Sequence, residues 1–246
     1  MAITVETNSI SYLSDFQPIR CDTYFRSKIK KSESFFINEN ISWVSLGSVI
    51  ENIQNGMNIK TEYYSMEPTD ILYTSVSQIK EYGLINKNQN YLSEEVRDLN
   101  NFFELEPEMV LITRSGTVGV GLSTNNSSFD FDESSYVASG FVITSKIKPG
   151  YSADVIANYI NLADVQNYLA AMAAGACQKN ISQPNILSLP VPEVLFTKAE
   201  SFNDLFKQYE HSTNKIKRVI SRGEDKLSKL KDTVSEEASR LISELS

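Results

Sequence analysis

Cysteine is nearly absent: Cys21 and Cys177 are the only two, and they stand far apart. Their scarcity excludes a disulfide framework and fits a reducing compartment, so a cytoplasmic location is expected. Histidine occurs once, as His211. One histidine and two cysteines give no ligand spacing for a metal, and a Ser or Cys nucleophile would lack a well-placed base. No run of about 18 apolar residues exists, which removes a membrane span. The opening MAITVETNSI has neither a basic n-region nor an apolar core, so no secretion signal is expected. Also missing are the Asn/Asp-Pro-Pro-aromatic motif of amino-methyltransferases, a glycine fingerprint for S-adenosylmethionine, and a nuclease-like group of carboxylates with a lysine. The chain is therefore expected to be non-catalytic and to carry no cofactor of its own.

Positive charge is also in short supply. The formal net charge of the 246 residues is −8. Residues 201–246 hold nine basic and eight acidic side chains, which leaves 14 basic against 23 acidic in residues 1–200. Proteins that grip nucleic acid are usually basic. Composition alone points to an acidic protein-interaction module. A nucleic-acid reader of this charge must gather its few cations on one face or borrow them from partner subunits.

What is present is an ordered run of strand and helix signals. Residues 1–42 are mixed and polar, and their basic cluster Arg26–Lys31 (RSKIKK) reads as a solvated face. From Trp43 the text becomes strand-like: WVSLGSVI leads to ENIQNG, whose Asn55–Gly56 is a turn signal. DILYTSV (Asp70–Val76), MVLIT (Met109–Thr113) and FVITSKI (Phe141–Ile147) read as strands, the last followed by a break at Pro149–Gly150. A helix is expected over 152–174, capped by Ser152 or Asp154, with Val155, Ile156, Tyr159, Ile160 and Leu162 on its apolar stripe and Gly175 as its stop. Pro184, Pro190 and Pro192 then mark residues 176–196 as a loop.

The last segment, Ala199–Leu245, contains no proline and reads as one long helix. Phe206, Thr213, Ile220, Leu227, Val234 and Leu241 recur at a spacing of seven, and Phe202, Tyr209, Ile216 and Leu230 fall on the complementary seam. That is a heptad pattern, weakened at Gly223, Glu237 and Glu244. Such a helix would span roughly 65–70 Å at about 1.5 Å per residue and cannot bury its own seam, so a partner helix is expected. The expected fold is an α/β (α+β) domain over residues 1–198 followed by a coiled-coil-type helix over 199–246.

The glycine-rich TRSGTVGVG (Thr113–Gly121) does not follow GxGxxG spacing, lacks the Gly-Lys-Ser/Thr end of a phosphate loop, and precedes no obvious helix. It reads as a strand–turn–strand with close backbone packing. Taken in order, five pieces carry a family resemblance. LYTSVSQIKEYGLI (Leu72–Ile85) is similar to "V-x-x-I-x-x-G-x-I" after an apolar strand, and NYLSEE (Asn90–Glu95) to "Y-[IV]-[ST]-x-E". LEPEMVLITRSGTVG (Leu105–Gly119) is similar to "L-x-P-G-D-[IV]-L-[IV]-x-R-x-G-x-[IV]-G", with Glu108 and Met109 in place of Gly-Asp. GACQKNISQPNILSLPVP (Gly175–Pro192), after its helix, is similar to "G-x-x-Q-x-N-[IL]-x-x-x-x-[IL]-x-x-[IL]-x-[IV]-P". The long helix closes the match. Together, over Trp43–Leu245, they resemble the target recognition domain of type I restriction-modification specificity subunits.

That resemblance implies a DNA sequence-recognition subunit that reads double-stranded DNA and recruits methyltransferase and restriction subunits, with S-adenosylmethionine, ATP and magnesium held by those partners. It also implies one recognition domain and one helix where the usual subunit has two of each. A homodimer, or pairing with another half-subunit, would then read a bipartite site in phage defence, with Phe206, Tyr209, Ile216, Ile220, Leu227, Leu230, Val234 and Leu241 at the pairing helix. Base readout needs side chains that donate or accept at groove edges. Candidates in the matched loops are Ser75, Ser77, Gln78, Lys80, Arg114, Ser115, Thr117, Lys179, Asn180 and Gln183, while Arg114 and Gln178 read equally well as residues that bond loop backbone.

Overall fold

Most strands come first along the described residues, and the α-helices follow those. A computed structural model describes residue 36 and residues 41–85, 89–174, 179–204 and 207. The strands are β1 (Trp43–Ser45), β2 (Ile50–Asn55), β3 (Tyr64–Ser65), β4 (Ile71–Thr74), β5 (Ile79–Lys80), β6 (Gly83–Leu84), β7 (Asn90–Leu92), β8 (Met109–Thr113), β9 (Gly121–Ser123), β10 (Ser135–Ala138), β11 (Val142–Ile147) and β12 (Pro190–Pro192). The α-helices are α1 (Ala153–Ile160), α2 (Ala163–Met172), α3 (Gln183–Leu187) and α4 (Val194–Thr197). This is a mixed sheet-and-helix domain, as expected. None of its described helices is long and apolar enough to cross a membrane.

Two four-stranded sheets organise it. One runs β2-β11-β8-β9, with every pairing antiparallel; the other runs β10-β4-β7-β3, with β10 and β4 parallel. The continuous apolar run Met109–Thr113 is buried at every position, as a strand covered on both faces must be. Met109 and Leu111 join Ile79, Leu122, Tyr136, Ala138 and Val142 in one apolar cluster between the sheets. By alternation, Val110 and Ile112 point to the other face, and α1 packs on β8 and β9 there. In the second sheet, Leu72 leans on that cluster, while Ile71 and Tyr73 enter another with Leu92, Val96 and Val137. Each fully buried Leu or Ile contributes about 1.5–3 kcal/mol.

Three local expectations are corrected. The helix expected over 152–174 is two helices. Ser152 caps the first, accepting from Val155 N. Asn161 ends it, because its amide bonds Gly121 twice: Gly121 N donates to Oδ1 at 2.9 Å and Nδ2 donates to Gly121 O at 2.8 Å. The proline-containing 176–196 is not all loop. Pro184 sits in the first turn of α3, where a missing N–H costs nothing.

Pro190 and Pro192 lie in β12, paired with Ser45 and Trp43 of β1. Glu193 N donates to Ser42 O and Leu46 N to Leu189 O, so the two prolines fall at the non-hydrogen-bonded positions of the ladder. Finally, Asn55–Gly56 is no turn. β2 runs to Asn55, and a Cβ at Gly56 would strike the carbonyl oxygens of Ala138 and Ser139, so this glycine serves a close backbone approach.

The chain divides into two units, Met1–Asn203 and Asp204–Ser246. Residues 199–204 and 207 are helical. The heptad positions Phe206, Tyr209, Ile216, Ile220, Leu227, Leu230, Val234 and Leu241 lie outside the described residues, as do Thr213, Cys21, Gly175, Cys177, Gln178, His211 and the basic cluster 26–31.

Candidate nucleic-acid interface

Three segments distant in sequence meet beside β8. The first is the turn after β4. Ser75 N donates to Gln78 Oε1 at 2.8 Å, the Ser75 hydroxyl donates to the same oxygen at 3.1 Å, and the Ser75 and Ser77 hydroxyls share a bond of 2.8 Å. Gln78 Nε2 donates to Gln89 Oε1 at 2.9 Å, and Gln89 in turn donates to Asn90 O. Gln78 is only 3% exposed. Its amide therefore builds the turn that carries Ser77, which is exposed, while Gln78 itself faces inward. Lys80 lies just beyond, half-exposed on β5 and opposite Gly83 of β6.

The second segment is the β8–β9 loop. Thr113 Oγ1 donates to Thr117 O and accepts from Val120 N, while Gly119 N donates to Thr113 O at 2.8 Å. Gly116 and Gly119 have φ of +71° and +87°, a conformation other residues adopt only with strain. Behind the loop, Gln166 Nε2 of α2 donates to Gly119 O at 2.7 Å. The result is a stiff hairpin end with Thr117 exposed and Arg114 half-exposed. Ser115 is 3% exposed, so it faces inward.

The third segment follows α2. Ala174 and Asn180 exchange backbone bonds of 2.8 Å in both directions, Asn180 bridges to Ser115, and Ile181 N donates to Arg114 O at 3.0 Å. That ladder fixes Asn180 and Lys179, both half-exposed, against the β8–β9 loop. Asn180 is thus tied by its backbone. Gln183 opens α3, whose N-cap Ser182 forms a reciprocal capping box with Asn185. A Cβ at Gly116 would stand 3.7 Å from Val76 Cγ1, which places the first segment against the second. Ser75, Ser77, Gln78, Arg114, Ser115, Thr117, Lys179 and Asn180 are therefore brought to one end of the domain, with Gln183 next to it.

Electrostatics favour that end. Of the other described cations, Arg97 binds Glu94 at 3.0 Å and Glu104 at 2.6 Å, Lys146 binds Glu106 and Lys60 binds Glu62 at 3.6 Å, while Lys198 forms no ion pair among the described residues. Arg114 and Lys80 make no ion pair among the described residues. A domain with excess carboxylates thus keeps uncompensated positive charge where the three segments converge. The strongest titration shifts lie elsewhere. Burial pushes the phenols of Tyr73 and Tyr168 up to about 12, and that of Tyr159 higher still.

Sequence reasoning misses Gln89, Asn161 and Gln166, which hold the loops from behind, and Phe141, whose carbonyl accepts from Arg114 N at 2.9 Å. Polar residues between apolar positions of an expected helix are the one available signal for Asn161 and Gln166.

No protein-family model matches the chain, and no curated protein matches it. Solved structures do show similarity. One is a type I restriction-modification system S subunit from M. genitalium, at 16% identity and TM-score 0.41 over 63% of this chain and 35% of that one. Another is the HsdS subunit from Thermoanaerobacter tengcongensis, at 13% identity and TM-score 0.49 over 84% and 44%. A third comes from work on complex assembly and conformational transition of the type I R-M system, at 14% identity and TM-score 0.47 over 91% and 55%. The chain spans between 35% and 55% of the length of these structures.

Proposed function

We propose that this chain is the DNA sequence-recognition subunit of a type I-like restriction-modification complex. It is non-catalytic; it reads one half of a bipartite site and recruits methyltransferase and restriction subunits. The observation that carries the reading is the convergence of Ser77, Arg114, Thr117, Lys179 and Asn180, from three segments that each hold a family-like motif, on a stiff end of the domain with Arg114 uncompensated. Hydroxyl, amide and guanidinium groups held on rigid backbone are what groove-edge readout requires, and an uncompensated guanidinium such as that of Arg114 can serve a phosphate. The acidic remainder of the domain is consistent with docking onto partner subunits that supply most of the positive charge. Residues 202–245 would pair with the same helix of a second copy, or of another half-subunit, and so set the distance between half-sites.

Single-molecule methylome sequencing of the host with and without the gene tests this. Loss of one bipartite adenine-methylation motif is expected. An inverted repeat in that motif means two copies of this chain, and an asymmetric motif means a different mate. An unchanged methylome in a host whose methyltransferase is active refutes the recognition role and favours a protein-interaction module.

A further inference from the structure

Phe141 is the most exposed aromatic side chain among the described residues, at 55%. An isolated exposed apolar residue is ordinary, but the backbone beneath this one is unusually constrained. Residues 139–142 form a tight turn closed by Val142 N donating to Ser139 O at 2.8 Å. Ser139 N donates to Thr74 O and Gly140 N to Met57 O, each at 2.9 Å, and Phe141 O accepts from Arg114 N. The Asn58 amide lies where a Gly140 side chain would stand. Three segments thus hold a short turn whose outward product is one phenyl ring, across the sheet from Arg114. Holding a large apolar ring rigidly in water serves no folding purpose, since burial is what makes such a ring stabilising. It does lower the entropy lost when a partner covers the ring.

Resting on the recognition role proposed above, we infer that Phe141 is a specificity-determining residue that packs on the C5-methyl group of a thymine in the half-site. The thymine methyl is the apolar feature a base pair shows in the major groove, and an apolar side chain is its natural complement. Arg114 beside it supplies the neighbouring polar or phosphate contact, so ring and cation would approach the duplex together. No signal in the sequence marks Phe141, because as the first residue of an apolar run it reads as part of the strand.

The test uses the full chain assembled with its methyltransferase subunits. The wild-type complex first selects its site from a randomised duplex library. Each thymine of that site is then replaced in turn by deoxyuridine, which removes only the methyl group, and binding is measured for wild type, Phe141→Ala and Phe141→Leu. Expected is a loss of about fourfold for wild type at one position, the worth of one buried methyl group. Phe141→Ala should bind the thymine site more weakly and ignore that replacement, while Phe141→Leu retains the sensitivity. Phe141→Ala binding like wild type with the same deoxyuridine profile overturns the inference. So does weaker binding with an unchanged profile, which would make the ring a wedge between base steps or a turn brace. If the wild-type complex selects no sequence at all, the recognition role itself fails, a result distinct from either.

Discussion

Glu108 has φ +61°, a left-handed conformation, at the position where the resembled family pattern carries glycine. That backbone costs a non-glycine residue roughly 1–2 kcal/mol. Its side chain offsets the cost: Asn125 Nδ2 donates to Oε1 at 2.8 Å, Asn125 Oδ1 accepts from Glu108 N at 3.0 Å, and Oε2 approaches Ala153 N of α1. Glu108→Ala keeps the strain and loses the carboxylate bonds, so it should destabilise by about 1–2 kcal/mol. Glu108→Gly should be milder by about 1 kcal/mol, and urea midpoints showing glycine no better than alanine would contradict this account. At the candidate interface, Gln78→Ala takes the partner from Ser75 N and from Gln89 Oε1 and should cost about 1–3 kcal/mol of stability. Ser77→Ala should be near neutral in the same urea series yet weaken DNA binding by the assembled complex. The buried phenols set a pH limit. A phenol whose pKa rises on folding must stay neutral in the folded chain, so its stabilising effect is complete below pH 10, the ordinary value, and is lost as pH climbs towards about 12 for Tyr168. Above pH 10 each such group removes about 1.4 kcal/mol per pH unit. A spectrophotometric titration should show Tyr73, Tyr159 and Tyr168 ionising late and together with unfolding; ionisation at pH 10 with the fold intact would refute it.

Elements that depend on their own residues are legible in the amino-acid sequence. Met109–Thr113 and Val142–Ile147 are legible as strands because they are short, rich in β-branched residues and bounded by Gly or Pro signals, and Ser152 caps α1 by local chemistry. Elements that depend on distant partners are not legible there. The break between α1 and α2 is made by Asn161 reaching Gly121, 40 residues away in the chain. Asn161→Ala should therefore cost about 1–3 kcal/mol, because the Gly121 backbone is left unpaired, and hydrogen exchange should rise at Gly121. Unchanged exchange there would show that the helix break has another cause. Pro190 and Pro192 form a strand because register, invisible in one sequence, puts them at the positions that need no donor. The candidate interface divides along the same line. Arg114 and Thr117 are readable as a loop after a strand, whereas the burial of Gln78 and the exposure of Phe141 depend on which segments meet there.

For the whole molecule the governing quantity is charge. With a net charge of −8, the proposed DNA binding would rest on few cations of the chain's own, so removing one should be conspicuous. Arg114→Ala in the assembled complex should weaken binding about tenfold; if Arg114 meets a phosphate it should also reduce the salt slope by about one, uniformly across sequences, whereas a base contact would relax specificity at one position. An unchanged affinity would remove Arg114 from the interface. The heptad seam is tested by mass: Ile220→Asp with Leu227→Asp should convert a dimer to a monomer in light scattering at micromolar concentration, and a wild-type chain already monomeric with its methyltransferase present would count against pairing. One further property follows from the pairing of β1 with β12. Glu193 N donates to Ser42 O, and the Ser42 hydroxyl donates to the Glu193 carboxylate at 2.8 Å, so two points 151 residues apart in the chain are stitched side by side. Points held this close let the stretch between them be moved into another scaffold across a short gap, provided that Phe36 and Leu195, both buried, travel with it.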